Sequence, residues 1–315
     1  MNTTRSTPEV DDRFTIVGSP RRPRRPGSVG VLLLNRSSRL LRRTLIQELV
    51  DKGYKEIVSV EPQEHSYTVE ALVQEFPQVR FLLLTRELNV GAQINLGMQH
   101  MDADYALVMW STMEPSSGLE RALPAMGERT VIVAPQLRGE RGEVLPVLQA
   151  PAMQKRSLHV LSLPLRNDRS ATLFPFDFVG LYNRTLFLRF DGYDEDIHNP
   201  FWQKLDFGFR TYLWGGEIMA LSVFRASYQT MPEPEDRTSD RSYARFFVKN
   251  LAVRVTEDGA QIPKTHFLSF AIRSGLGISR SVTVFQAVRR WLYLHRHRFI
   301  ADPRTMVEQW SVDHV

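Results

Sequence analysis

Three polar residues in the first third of the chain each follow a separate strand-like run. Asn35 comes after Ser28 to Leu34 (SVGVLLL), Glu61 after Glu56 to Val60, and Asn89 after Phe81 to Leu84. If those runs are parallel neighbours, their carboxyl ends bring two amides and a carboxylate to one edge, where open α/β sheets hold ligands. The run Tyr105 to Met109 delivers Trp110, Ser111 and Thr112 to the same edge. An indole and two neutral hydroxyls are poor ligands for magnesium or manganese, which take carboxylate and water oxygens. A second concentration lies at 191–210. There Asp191, Asp194, Glu195, Asp196 and Asp206 stand among Tyr193, Phe201 and Trp202. Carboxylates can relay protons, and the aromatic rings offer stacking faces. The bland reading of Asp206 and Arg210 is a helix-surface ion pair at i,i+4, worth a few tenths of a kcal/mol.

Those residues need elements to place them. The runs at 28–34 and 81–84 are apolar throughout, as in strands covered on both faces. Ser37 or Ser38 caps a predicted helix over Arg39 to Lys52, and Asn89 caps another that carries Ala92, Asn95, Leu96, Gln99 and His100 at helical spacing. A further helix spans Thr68 to Phe76, and strands are predicted at 130–134 and 218–223. Alternating strands and helices with short joints predict a mostly parallel α/β sheet wrapped by helices. Gly139, Gly142, Pro146, Pro151 and Pro164 fragment 137–169, which is expected to be irregular. A helix from Pro200 ends at Trp214-Gly215-Gly216, and Pro232 to Asp240 reads as an acidic linker or lid. Tyr243 to Arg254 and Val282 to Phe299 add helices to a C-terminal extension. No Gly-x-Gly-x-x-Gly and no Gly-Lys-Ser/Thr loop follows any strand, which removes the best support for dehydrogenase and P-loop readings.

Composition sets the class. The 315 residues are 43% hydrophobic, enough for a globular core, and contain no cysteine, which excludes disulfides, thiol catalysis and Cys-ligated zinc. The formal charge is +5 and the isoelectric point about 9.5. Residues 1–26, with their RRPRRP run, read as a disordered basic tail that identifies no nucleic-acid partner. No apolar run approaches the roughly 20 residues of a spanning helix, so a cytoplasmic protein is expected. The basic and aromatic 282–299 helix suits either docking on the domain or peripheral contact with a membrane.

The order of motifs resembles the GT-A glycosyltransferases of family two. Asn89, Gly91, Asn95 and Gly97 match the family's Asn-x-Gly-x-x-x-Asn-x-Gly, and Asn35-Arg36 matches the end of its first strand. Arg184, Phe187, Asp191-Gly192-Tyr193-Asp194-Glu195, Asp206, Arg210 and Gly215 follow the order of its acceptor half. Two family features are replaced. Trp110-Ser111-Thr112 stands where the family has its metal-binding Asp-x-Asp, and Gln203-Lys204 stands where it has an acidic pair with the catalytic base.

The resemblance implies a GT-A domain over 27–230 with a helical extension over 231–315. It implies Asn35, Arg36, Glu61, Asn89, Gly91, Asn95, Trp110 and Thr112 on the nucleotide side, and Tyr193, Trp202, Lys204 and Arg210 on the acceptor and phosphate side. Asp194, Glu195 and Asp206 become the candidate catalytic carboxylates. The implied activity is transfer of a sugar from a nucleotide sugar to a hydroxyl of a glycan or lipid-linked acceptor, with protein cations in place of a metal. The alternative is a degenerate homologue serving as a binding or assembly subunit.

Overall fold

The computed structural model describes residues 12–21, 23, 25–36, 39–62, 66–154 and 157–313. The opening residues of the basic tail, 1–11, and the cap assigned to Ser37 or Ser38 lie outside the described residues. The strands are β1 (Phe14–Gly18), β2 (Val29–Leu34), β3 (Ile57–Glu61), β4 (Val79–Leu84), β5 (Tyr105–Trp110), β6 (Thr130–Arg138), β7 (Leu148–Gln154), β8 (Ser157–Leu163), β9 (Arg169–Ala171), β10 (Gly180–Asn183), β11 (Glu217–Ser227), β12 (Arg254–Thr256) and β13 (Gly259–Gln261). The helices are α1 (Arg39–Asp51), α2 (Ser66–Glu75), α3 (Val90–Gln99), α4 (Leu119–Ala122), α5 (Arg184–Arg189), α6 (Pro200–Leu213), α7 (Arg241–Phe246), α8 (His266–Ser274), α9 (Ile278–His295) and α10 (Pro303–Asp313).

Nine strands form one sheet in the order β1-β4-β3-β2-β5-β10-β6-β11-β9. The block β4-β3-β2-β5 is parallel, as is the pair β6-β11, while β1, β9 and β10 run antiparallel to their neighbours. Val31 to Leu34, Val58, Val60 and Leu107 are buried, as apolar strands between two helical layers require. Because β10 opposes β5 with Gly180 against Val108, the residues that lead into β10 arrive at the carboxyl end of β5. That reversal matters for the site.

Two stretches differ from the sequence reading. Phe14–Gly18, within the stretch assigned to a disordered tail, is strand β1, paired with β4 from Phe14–Leu84 to Gly18–Arg80. It covers an edge that would otherwise expose unpaired backbone groups. Gly18 makes the exit possible, since at φ +94° its backbone passes so near Val79 that a Cβ would lie 2.4 Å from that carbonyl oxygen. The second stretch, 137–169, holds the hairpin β7–β8 rather than irregular chain, with Pro151 opposite Val160. A two-stranded hairpin is all edge, so a proline inside it removes at most one ladder bond.

The C-terminal helices share a second core with α6. Phe209 and Trp202 meet Phe246 of α7, Phe285, Val288 and Leu292 of α9 face inward, and Trp310 of α10 packs on Tyr212. Among the described residues no helix is long and apolar enough to cross a membrane.

Candidate functional site

At the carboxyl edge, β2 presents Asn35 and Arg36, and the two behave differently. The Asn35 amide turns into the sheet and donates to the Val60 carbonyl (2.8 Å) and the Ser59 hydroxyl (3.2 Å). Glu61, at the end of β3, is fully buried, accepts from Ser59 Oγ at 2.7 Å and forms an ion pair with Arg42 of α1. These two residues brace the strand ends. Arg36 is only half-buried; its guanidinium carbon lies 3.4 Å from the centre of the Trp110 ring, and it donates to Asp177 Oδ1 at 2.6 Å.

Asp177 is the hub of this edge. Its carbonyl accepts from the Trp110 indole at 2.9 Å, and its other carboxylate oxygen accepts from Tyr228 at 2.8 Å. Burial pushes the Tyr228 phenol well above its ordinary value, helped by Asp177 and Glu235 and opposed by Arg36. Asp177 and Phe178 both adopt left-handed backbone, at φ 50° and 63°. Non-glycine residues held there cost about 1–3 kcal/mol each and cluster where a ligand is clamped. Beside them, Ser111 Oγ, Thr112 Oγ1 and Asn35 Oδ1 are buried with no hydrogen-bond partner among the described residues.

The Asn and Gly motif forms a clamp between α3 and α6. Asn89 caps α3 by accepting from the Ala92 amide at 3.0 Å, and its own amide donates to the Glu195 carbonyl at 2.7 Å. Gln203 donates to Asn89 Oδ1 (2.8 Å) and the Asp194 carbonyl (3.0 Å), and accepts from the Gly91 amide at 2.9 Å. A Cβ on Gly91 would sit 2.4 Å from Gln203 Cδ, so the glycine is needed for close approach. Asn95 completes the clamp in both directions with Tyr193, donating to its carbonyl at 2.8 Å and accepting from its amide at 2.9 Å. Where an acid would carry a negative charge, Gln203 supplies one acceptor and two donors, and all three are used.

The 191–195 segment borders a cleft of about 350 Å³ with Asn95, Arg210, Arg245, Lys249 and Trp291. Its buried charges are internally matched. Asp194 pairs with Lys249 (2.7 Å) and Arg245 (2.9 Å), and Asp206 with Lys249 (3.1 Å), Arg210 (3.3 Å) and the Asn250 amide (2.7 Å). Burial pushes the Asp194 carboxyl up, but Lys249 and Arg245 outweigh it and leave it below its usual value. The Asp206–Arg210 pair has the i,i+4 spacing of a helix-surface contact, yet both side chains are buried. Glu195 is the more open carboxylate, near Asn95 (3.1 Å) and Arg13 (3.4 Å). Tyr193 is buried at the cleft floor, its hydroxyl 2.8 Å from that of Tyr182. Trp202 is enclosed in the second core, where its indole donates to the Thr238 carbonyl at 2.8 Å. Lys204 points another way. Its ammonium is buried 5.2–5.3 Å from the rings of Phe178 and Phe174 and pairs with Glu235 of the 230–240 segment.

No protein-family model matches the chain, and no curated protein matches it in sequence. Solved structures do match. GalNAc-T7 with UDP, GalNAc and Mn2+ superposes at a TM-score of 0.62 and 12% identity, covering 91% of this chain and 57% of that one. The chain therefore spans little more than half the length of that protein. The fold is GT-A. Weaker matches are S. aureus TarS 1-349 with UDP-GlcNAc (TM-score 0.48, 13% identity, 86% of this chain and 72% of that one) and the Pyrobaculum calidifontis mannosyltransferase PcManGT with GDP-Man and Mn2+ (0.47, 12%, 95% and 82%).

In this GT-A chain the donor set at the end of β5 does not suit the Mn2+ that the GalNAc-T7 structure carries. It consists of an indole and two hydroxyls, and the carboxylate brought beside them, Asp177, is engaged by Arg36 and Tyr228. Among the described residues no three His, Asp or Glu side chains group as a metal site. Sequence reasoning missed Asp177, Tyr228 and Glu235. Asp177 had a signal, as an isolated charge within the aromatic run Phe174-Pro175-Phe176-Asp177-Phe178. Tyr228 and Glu235 had none, because only the return of β11 and the path after it bring them to the edge.

Proposed function

We propose that the chain is a glycosyltransferase that binds a nucleotide sugar at the carboxyl edge of β2 and β5 and transfers the sugar to a hydroxyl acceptor without a divalent cation. The observation that carries this reading is Arg36, stacked on Trp110 and fixed by Asp177 at the edge where α/β folds take ligands. A guanidinium oriented on two sides presents its remaining N–H groups to a diphosphate and can meet the charge of the leaving group. Trp110 and Thr112 complete the nucleotide wall, with Asn35, Glu61, Asn89, Gly91 and Asn95 framing it from strand ends and helix.

In the reaction, the acceptor oxygen attacks the anomeric carbon as the bond to the diphosphate oxygen breaks, and the nucleoside diphosphate departs. The acceptor's proton passes to a carboxylate. Among the sequence candidates Asp194 and Asp206 are held by buried cations, which leaves Glu195 more open. We assign the proton to Glu195, which stands part-exposed at the cleft beside Asn95, whereas Glu235 is itself paired with the buried Lys204 ammonium.

That saturation of Asp194 and Asp206 also favours a second reading, a donor-binding assembly subunit without transfer. Incubation with radiolabelled nucleotide sugars and a panel of hydroxyl acceptors separates the two. Release of nucleoside diphosphate with labelled product, lost in Glu195→Gln, supports the enzyme. Donor binding without product on any acceptor supports the subunit.

A further inference from the structure

The six most exposed large apolar side chains among the described residues fall in one stretch of chain. Leu268 and Ile272 of α8, Ile278, Tyr293 and Leu294 of α9, and Ile300 are each at least 63% exposed, whereas those elsewhere reach 51% at most. The same stretch, from Gly259 to Ala301, contains seven Lys or Arg residues and no Asp or Glu, in a chain of net charge +5. Single exposed apolar residues are ordinary, but a concentration flanked by one sign of charge marks a contact surface.

Internal packing does not explain these side chains. Phe267 and Phe270 of α8 meet Phe285 of α9 at 5.4 and 5.8 Å, and Phe285, Val288 and Leu292 already bury the inner face of α9. Leu268 and Ile272, one turn apart, stand outside that contact. Arg280, Arg289 and Arg290 are exposed on α9. A self-dimer through these helices would set cations against cations. A nucleic acid would account for the cations and leave six apolar side chains in water.

We infer that α8 and α9 dock the protein on an anionic membrane surface. Leu268, Ile272 and Ile278 enter the boundary between headgroups and acyl chains, and the arginines pair with lipid phosphates. This contact is independent of the glycosyl-transfer reading.

The test is co-sedimentation of the full chain with vesicles of equal parts phosphatidylcholine and phosphatidylglycerol, and with phosphatidylcholine alone. Binding should be at least about tenfold tighter to the mixed vesicles and should weaken as salt is raised. Leu268→Glu/Ile272→Glu should lose about tenfold at unchanged Tm, since both side chains are in water. With no native cysteine, Ile272→Cys takes a single polarity-sensitive dye, whose emission should shift to the blue on the mixed vesicles. The inference is overturned by failure to sediment, by undiminished binding of the double variant, or by an unshifted dye. It is equally overturned if the double variant abolishes concentration-dependent dimerisation while vesicles bind neither form, or if the arginines bind an RNA oligonucleotide and no vesicle.

Discussion

The guanidinium carbon of Arg36 lies 3.4 Å from the centre of the Trp110 ring, and its nitrogen donates to Asp177 at 2.6 Å. The first contact fixes the plane of the guanidinium and the second its direction, so little side-chain freedom remains to be lost when an anion arrives. Asp177→Asn keeps the carbonyl bond from Trp110 but loses the ion pair. Nucleoside diphosphate affinity should fall by about 1–2 kcal/mol, roughly 5- to 30-fold. Calorimetric titration of wild type and variant checks this, and equal affinities would remove Asp177 from the site.

Gly91 and Gln203 should be coupled. Gly91→Ala drives a Cβ against Gln203 Cδ, and Gln203→Ala strips the Gly91 amide and Asn89 of their partner. Each should cost about 1–3 kcal/mol. Removing the Gln203 side chain also removes the clash, so the double variant should be less destabilised than the two costs added. Urea unfolding midpoints give the cycle, and strict additivity would argue against the clamp.

Lys204 and Glu235 should respond asymmetrically. Lys204→Met leaves an apolar chain among Phe174, Phe176 and Phe178, with Glu235 part-exposed and able to reach water. Glu235→Gln leaves a buried ammonium without its counter-ion, a loss that for fully buried pairs reaches about 3–5 kcal/mol. The glutamine variant should therefore have the lower Tm. The reverse order would mean that the pair is not what holds Lys204 in place.

The Asp194 carboxyl is raised by burial and lowered more strongly by Lys249 and Arg245. A carboxyl depressed on folding stabilises the native state above its unfolded value, about 3.9, and that stability is lost as pH falls from there through the folded value. Asp194→Asn should therefore be less stable than wild type at pH 7, and the gap should close below about pH 4. Urea midpoints from neutral to acid pH measure it; a gap independent of pH would deny the ionic origin.

The parallel half of the sheet was legible because β2, β5 and the Phe81–Leu84 part of β4 are covered on both faces and read as apolar runs. Asn89, Gly91 and Asn95 were legible as a motif, but only the structure shows that they clamp the backbone of Tyr193 and Glu195, which carries no sequence signal, and the side chain of Gln203. The burial of Asp194 and Asp206 was hidden, since Lys249 and Asn250 reach them from a π-helical turn (Phe247–Leu251) 43 to 55 residues downstream. Asp177 was missed because its role comes from the reversal of β10, a feature of topology rather than of spacing.

The most direct test of the donor site is calorimetric titration of the chain with a panel of UDP- and GDP-sugars in excess EDTA, for wild type and Arg36→Ala. The account predicts that at least one donor binds without metal, that added manganese leaves its affinity unchanged, and that Arg36→Ala weakens it by about 1.5–3 kcal/mol, roughly 10- to 150-fold. Binding that appears only with manganese, or that survives Arg36→Ala undiminished, would contradict it.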